Sequence, residues 1–177
     1  MAEVYVSVDV EASGPVPPEY SMLSLGACLV HDPGQSFYAE IKPIGSAVVP
    51  EAMAVVGRTL DDFASVGRDP AGAMLAFRDW LASVANGGDV VFVGFNATFD
   101  WAFVNWYFHR FIGENPFGIG GVDIKSYYMG QTGVRWDDTR SSRLPPHLQE
   151  EGAHEHHALA DAARQARLFR KLISTRL

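Results

Sequence analysis

Cysteine is all but missing from this sequence. The one that occurs, Cys28, excludes an internal disulfide, and its apolar neighbours mark it as a buried core thiol. No apolar run reaches the length of a membrane span, and no charged leader with an apolar core is visible. A soluble, cytoplasmic protein without membrane contact is therefore expected. Positive charge is also in short supply: 14 Lys and Arg stand against 21 Asp and Glu, a net charge of −7. Such a chain does not coat long nucleic acid by counterion release. It remains compatible with an acidic site that holds a few nucleotides through divalent cations, since bound cations invert the local charge. Internal repeats and domain linkers are absent, so residues 1–177 are expected to form one domain with a sizeable core.

What is present is organised around residues 4–11. Val4, Val6, Val8 and Val10 alternate there with Tyr5, Ser7, Asp9 and Glu11, a period of two that predicts a strand. Side chains two apart share a face. Asp9 and Glu11 thus project together, roughly 6–7 Å apart along the strand, before Ala12-Ser13-Gly14-Pro15 ends it. Two like charges on one face repel, and a hard divalent cation would offset the repulsion. A solvated strand end is the plainer alternative.

Downstream, residues 22–30 and 37–41 read as strands joined by a turn at His31-Asp32-Pro33-Gly34, which suggests an antiparallel meander. Residues 50–56 form a helical turn ended by Gly57. Residues 70–84 form a helix with Pro at its start and Met74, Phe77, Leu81 and Val84 on one face. Residues 90–94 are a continuous apolar run, typical of a buried central strand. An aromatic helix over 97–111 follows, then a short strand over 122–124, a helical turn over 125–129, an aperiodic loop or lid over 130–155 and a helix over 157–172. Three antiparallel strands followed by alternating helix and strand indicate an α/β fold with a mixed five-stranded sheet flanked by helices.

Chemistry-bearing residues cluster at element ends. Asp100 sits in the first turn of the aromatic helix, beyond the carboxyl end of a buried strand, where ligands bind in such sheets and where the helix dipole also favours an acid. Asn96 lies at the preceding turn. Near the last helix stand His154, His156, His157 and Asp161. Helical spacing pairs His157 with Asp161, whereas His156 sits at the lip of the helix. Ala158 breaks the His-Glu-x-x-His pattern of zinc proteases; a zinc site from His154, His156 and His157 lacks a fourth ligand at the usual spacing. Three separated segments thus supply Asp9 with Glu11, Asp100, and Asp161, a set that two divalent ions would fit.

These segments resemble, in order, the three motifs of the DEDDh group of 3'–5' exonucleases, which includes proofreading subunits, ribonuclease T and oligoribonuclease. Asp9-Val10-Glu11-Ala12-Ser13-Gly14 matches the first, Asn96-Ala97-Thr98-Phe99-Asp100 the second, and His156-His157-Ala158-Leu159-Ala160-Asp161 the third. Ala12 and Phe95 depart from the Thr and His common in the group. The resemblance implies a ribonuclease H-like fold and two Mg2+ or Mn2+ ions about 3.5–4 Å apart. It further implies that Asp9 bridges both ions, Glu11 and Asp161 complete one site, and Asp100 holds the second. It selects His156 over His157 as general base. The implied reaction releases nucleoside 5'-monophosphates from a free 3' end of single-stranded RNA or DNA, and relatives of this kind are often homodimers. Substrate contacts are expected from Ala12, Asn96, and the aromatic candidates Tyr20, Phe99 and Trp101. Arg135, Arg140 and Arg143 are candidates for phosphate, while Arg164, Arg167 and Lys171 read as a solvated stripe. The rival readings are a non-catalytic nucleic-acid-binding module on the same fold and a histidine-rich metal-binding protein, which would prefer zinc or nickel.

Overall fold

The computed structural model describes residues 2–149 and 156–174. Its frame is a mixed sheet of β1 (Glu3–Ala12), β2 (Met22–Leu29), β3 (Ser36–Glu40), β4 (Asp89–Gly94) and β5 (Gly121–Asp123), in the order β3-β2-β1-β4-β5. The central strand, β1, runs antiparallel to β2 and parallel to β4. Around the sheet lie α1 (Pro50–Val56), α2 (Leu60–Val66), α3 (Pro70–Ala85), α4 (Ala97–Phe111), α5 (Ile124–Thr132) and α6 (Ala158–Ser174). The expected meander, the buried fourth strand and the helix that follows it are all present, and so is the α/β class.

The period of two in β1 is used on both faces. Val6, Val8 and Val10 enter a core with Phe77 and Leu81 of α3 and Phe103, Val104, Tyr107 and Phe108 of α4. Each fully buried apolar side chain of this size stabilises the fold by about 1.5–3 kcal/mol. On the opposite face Tyr5 meets Phe169 of α6 edge-on, 5.6 Å between ring centres. Ser7, Asp9 and Glu11 follow Tyr5 on that face by the alternation of the strand.

Three segments differ from their sequence reading. The helix α2 was not anticipated. Its signal is local: the Thr59 side chain accepts from the Asp62 N–H while the Asp62 carboxylate accepts from the Thr59 N–H, a capping box. Second, the segment after residue 129 is not an open loop. α5 continues to Thr132, two 3-10 turns span Trp136–Thr139 and Ser141–Arg143, and Leu144 and Leu148 are buried with Val93, Ile124 and Phe169. Single apolar residues separated by turns leave no period to detect. Third, β5 ends at Asp123, because that carboxylate caps α5 by accepting from the Ser126 N–H at 2.7 Å. His154 lies outside the described residues.

The approach of α6 to the sheet is set by small residues. Ala158, Ala162 and Ala166, four apart, are all fully buried, and α6 crosses β1 and β2 on this face. Gly26 of β2 sits beneath the first turn, where a Cβ would run into the backbone of Ala158 and Leu159. Both partners there are backbone, so the strain has no side chain to absorb it. Gly26→Ala is expected to destabilise the protein by about 3 kcal/mol, the upper end for overpacking. A urea melt checks this; a midpoint within error of wild type would mean that α6 has room to rise.

Candidate active site

The site lies beyond the carboxyl ends of β1 and β4. Asp9 and Glu11 reach it from β1 by strand alternation, and Asp161 from the first turn of α6, which Ala158 and Gly26 hold close to the sheet. One carboxylate oxygen from each of Asp9, Glu11 and Asp161 lies within 4.8 Å of the other two.

Asp100 arrives differently. β1 outlasts its parallel neighbour: pairing with β4 ends at Ser7 opposite Val93. Further along, the Val10 N–H is taken by Asp100 instead, which accepts at 2.9 Å through Oδ1. A buried strand donor is thereby satisfied. The same bond locks the α4 carboxylate beside Asp9 and Glu11, with only 3% of Asp100 exposed.

Burial and mutual repulsion act on these acids together. Asp9 is held well above the usual carboxylate range, first by burial and then by the negative charges of Asp100, Glu11 and Asp161. Glu11 is pushed up to about 7 by burial and by Asp161. Asp100 is pushed up to about 8, mainly by burial; hydrogen bonds from the Val10 and Asp100 N–H groups pull back against it.

Three supporting side chains, Gln165, Asp123 and Lys125, were not foreseen. Gln165 of α6 donates through Nε2 to Asp9 Oδ1, and its Oε1 accepts from the Phe95 N–H at 2.9 Å. The peptide N–H fixes which end of the amide is carbonyl, so the amide must present its NH2 to Asp9. Its place one turn after Asp161 was the available signal. Asp123 accepts through Oδ2 from the Ala97 N–H at 2.9 Å, and so tends the start of α4 as well as α5. Asn96, in the left-handed region at φ 61°, makes no cap with its side chain. Its Oδ1 instead accepts from Lys125 Nζ at 2.8 Å.

The cleft above the carboxylates measures about 630 Å³, the size of a nucleotide-scale ligand site. Asp9, Glu11, Asp100, Asp161, His156, Asn96 and Phe99 all line it, with Phe95, Gln165 and Arg164. Ala12 is buried in the core. Tyr20 packs against Gly14, and Trp101 stands edge-on to Phe92, so these three lie outside the cleft walls. His156, at φ 46°, is on the rim. His157 stacks on Tyr38 of β3, 4.5 Å between ring centres. Arg164 is not part of a solvated stripe: its Nε lies 3.9 Å from Asp161 Oδ1. The loop segment once expected to be a lid forms a wall through Ser141, Ser142, Leu144, Leu148 and Gln149.

Acids from two strand-end segments and a packed helix, on a mixed sheet of this order, define an acidic nuclease centre. No family model matches the chain. It is 49% identical over 169 residues to the 3'-5' DNA exonuclease Cap18 of Escherichia coli, an alignment covering 95% of this chain and 90% of that one. Among solved structures, the nuclease domain of 3'hExo, a DEDDh family member bound to rAMP, superposes with a TM-score of 0.78 at 16% identity, over 97% of this chain and 92% of that one. Exonuclease I of E. coli, in complex with a dT13 oligonucleotide, gives 0.71 at 20% identity, over 99% of this chain and 42% of that one. The chain belongs to a family of 3'–5' exonucleases and is an enzyme with that activity, on the fold of the DEDDh nuclease domain. This sets aside the non-catalytic and histidine-rich readings.

The family's divalent ions fit the residues present. Asp9, Glu11 and Asp161 offer hard oxygen donors at ligand spacing. Asp9, Glu11 and Asp100 are shifted upward first by burial, with neighbouring carboxylates adding to it, and a divalent cation would act in the opposite sense on all three.

These shifts have a sign. A carboxyl whose folded pKa is raised keeps its proton in the native state while the unfolded chain ionises. Stability is therefore full below about pH 4 and falls as pH rises through 7 to 8. In chelator, the melting temperature should decline over that window, and less steeply in Asp100→Asn. Equal slopes in the two proteins would contradict the assignment. For Gln165, replacement by Met keeps length but removes the amide. Second-shell losses cost about 10–100-fold in metal affinity or activity. Gln165→Met should weaken Mn2+ binding, read by calorimetry, about tenfold while the metal-free melt stays within a few degrees. Unchanged Mn2+ affinity would show that the amide does nothing for Asp9.

Proposed function

We propose that this exonuclease removes nucleotides one at a time from the 3' end of single-stranded DNA. In this reading residues 1–177 act as one domain, and two divalent ions, Mg2+ or Mn2+, are held by Asp9, Glu11, Asp100 and Asp161. The observation that carries it is the convergence of three carboxylates within 4.8 Å, with the buried Asp100 beside them. The preference for DNA rests on the relative that is half identical and is named a DNA exonuclease.

When bound, such ions supply charge stabilisation to the attacking and leaving oxygens of an in-line displacement. The chain's own groups do the rest. His156, on the rim of the cleft, takes the proton of the water that attacks phosphorus, as the bond to the 3' oxygen breaks. Its left-handed backbone turns it to the cleft, while the stack on Tyr38 holds His157 away. Phe95 and Phe99 provide apolar walls for the terminal base, and Arg164 stands near enough to meet phosphate. Asn96 presents its NH2 group to the cleft, because Lys125 occupies its carbonyl. Ala12 and Tyr20 act behind these residues, in the packing around the strand end.

The test is hydrolysis of 5'-labelled single-stranded DNA and RNA of one sequence, with Mg2+, Mn2+ or chelator. Stepwise shortening of the DNA is expected, with a closed circular strand untouched and no activity in chelator. Faster cleavage of the RNA overturns the DNA reading, and activity in chelator overturns the metal reading. A general base is worth about 10²–10⁴ in rate. His156→Ala should lose that much while Mn2+ still raises its melting temperature, and His157→Ala should lose far less. The reverse order of damage would place the base one residue later.

A further inference from the structure

Phe99 and Trp136 are the two exposed aromatic rings among the described residues, at 38% and 51%. Phe99 belongs to the cleft. Trp136 does not line it. It opens the first 3-10 turn after α5, immediately before the segment that walls the cleft. One face of its indole is taken: Lys125 Nζ lies 4.1 Å from the ring centre. Lys125 is itself 8% exposed, so the indole roofs a buried ammonium. That ammonium donates to Asn96 Oδ1, and Asn96 stands on the cleft wall. Two contacts, 4.1 and 2.8 Å, thus tie the ring to the mouth of the active site.

The cations beside it divide cleanly. Arg140 is bound to Asp137 at 2.8 Å, and Arg143 to Asp138 at 3.2 Å and Asp137 at 3.6 Å. These two arginines, candidates for phosphate on sequence grounds, are spent on acids of their own turn. Arg135, next to Trp136 and exposed, is outside that cluster. An exposed indole and, beside it, a guanidinium that makes no ion pair among the described residues are the two contacts that single-stranded nucleic acid makes repeatedly, stacking for the base and charge for the phosphate.

We infer that Arg135 and Trp136 form a second nucleotide subsite, outside the cleft, which takes a base and phosphate of the single strand upstream of the residue being removed. The inference rests on the proposed function, whose substrate is the same strand. The cation–π contact from Lys125 holds the indole in place before the strand arrives, so little ordering is lost on stacking. A strand long enough to reach from the cleft past Asn96 gains this contact, and a dinucleotide does not.

The readout is the gain in affinity with length. KM is measured for the dinucleotide dT2 and for dT10, and for rU2 and rU10 in parallel. In wild type, KM should fall on going from two to ten residues. In Trp136→Ala that gain should shrink about 30-fold, the middle of the range for one stacked base, while Trp136→Phe keeps most of it. Arg135→Ser, a change at an exposed position, should lower the salt dependence of KM for dT10 by about one unit of logarithmic slope. A gain unchanged in Trp136→Ala, including the case in which KM rises equally at both lengths together with a lowered melting temperature, overturns the subsite. An unaltered salt slope in Arg135→Ser overturns the phosphate contact. Wild-type preference for the ribose series would instead refute the DNA reading, and the subsite is then judged by the same ratios on rU2 and rU10.

Discussion

Carboxylates a few ångströms apart in a half-dry cleft repel one another, and water cannot screen them well. Everything about this fold that matters for function is a way of holding such groups in place against that repulsion. Left to themselves, side chains on flexible loops would swing apart. Here Asp9 and Glu11 are anchored on β1, Asp100 on α4 and Asp161 on α6, and the anchors are packed or hydrogen-bonded to one another. The strain appears as displaced proton affinity in Asp9, Glu11 and Asp100 rather than as displaced geometry. That is the condition in which a divalent cation gains most on arrival.

The anchoring depends on an unequal pair of strands. Because β4 stops short, β1 carries a free N–H into the site, and Asp100 claims it. On the other side Gln165 links the end of β4 to Asp9 through one amide. Asp9 is thereby held from α6, and Asp100 from β1. These two carboxylates are each referenced to an element other than their own, so a shift of one element is resisted by the other.

Much of this could be read from the chain. The Val alternation in residues 4–10 predicted β1 and the shared face of Asp9 and Glu11, because a strand with two covered faces and a charged end leaves little ambiguity. Pro50, Gly57 and Pro70 marked helix ends through backbone chemistry that does not depend on tertiary context. The four acids and His156 were legible because their order along the chain matches a known pattern, and they meet in one cleft. What stayed hidden depends on distant partners. Gln165 looks like any polar residue on a helix until Phe95 and Asp9 are placed beside it. Lys125 looks solvated until Trp136 covers it. Leu144 and Leu148 sit in an aperiodic stretch, so only the assembled core shows that they are buried. The capping box at Thr59 was local and simply passed over.

The bond between Gln165 and Asp9 joins residues 156 positions apart. Asp161 comes from the same late helix. A growing polypeptide therefore exposes Asp9 and Glu11 early, and Asp100 after them, but lacks Asp161, Gln165 and the rim residue His156 until α6 emerges from the ribosome and settles over Gly26. Contacts of such long range also slow folding, since chain entropy is lost before they form. The centre is thus incomplete until the chain has been made through α6. A nascent chain still short of α6 therefore carries only part of the acidic set.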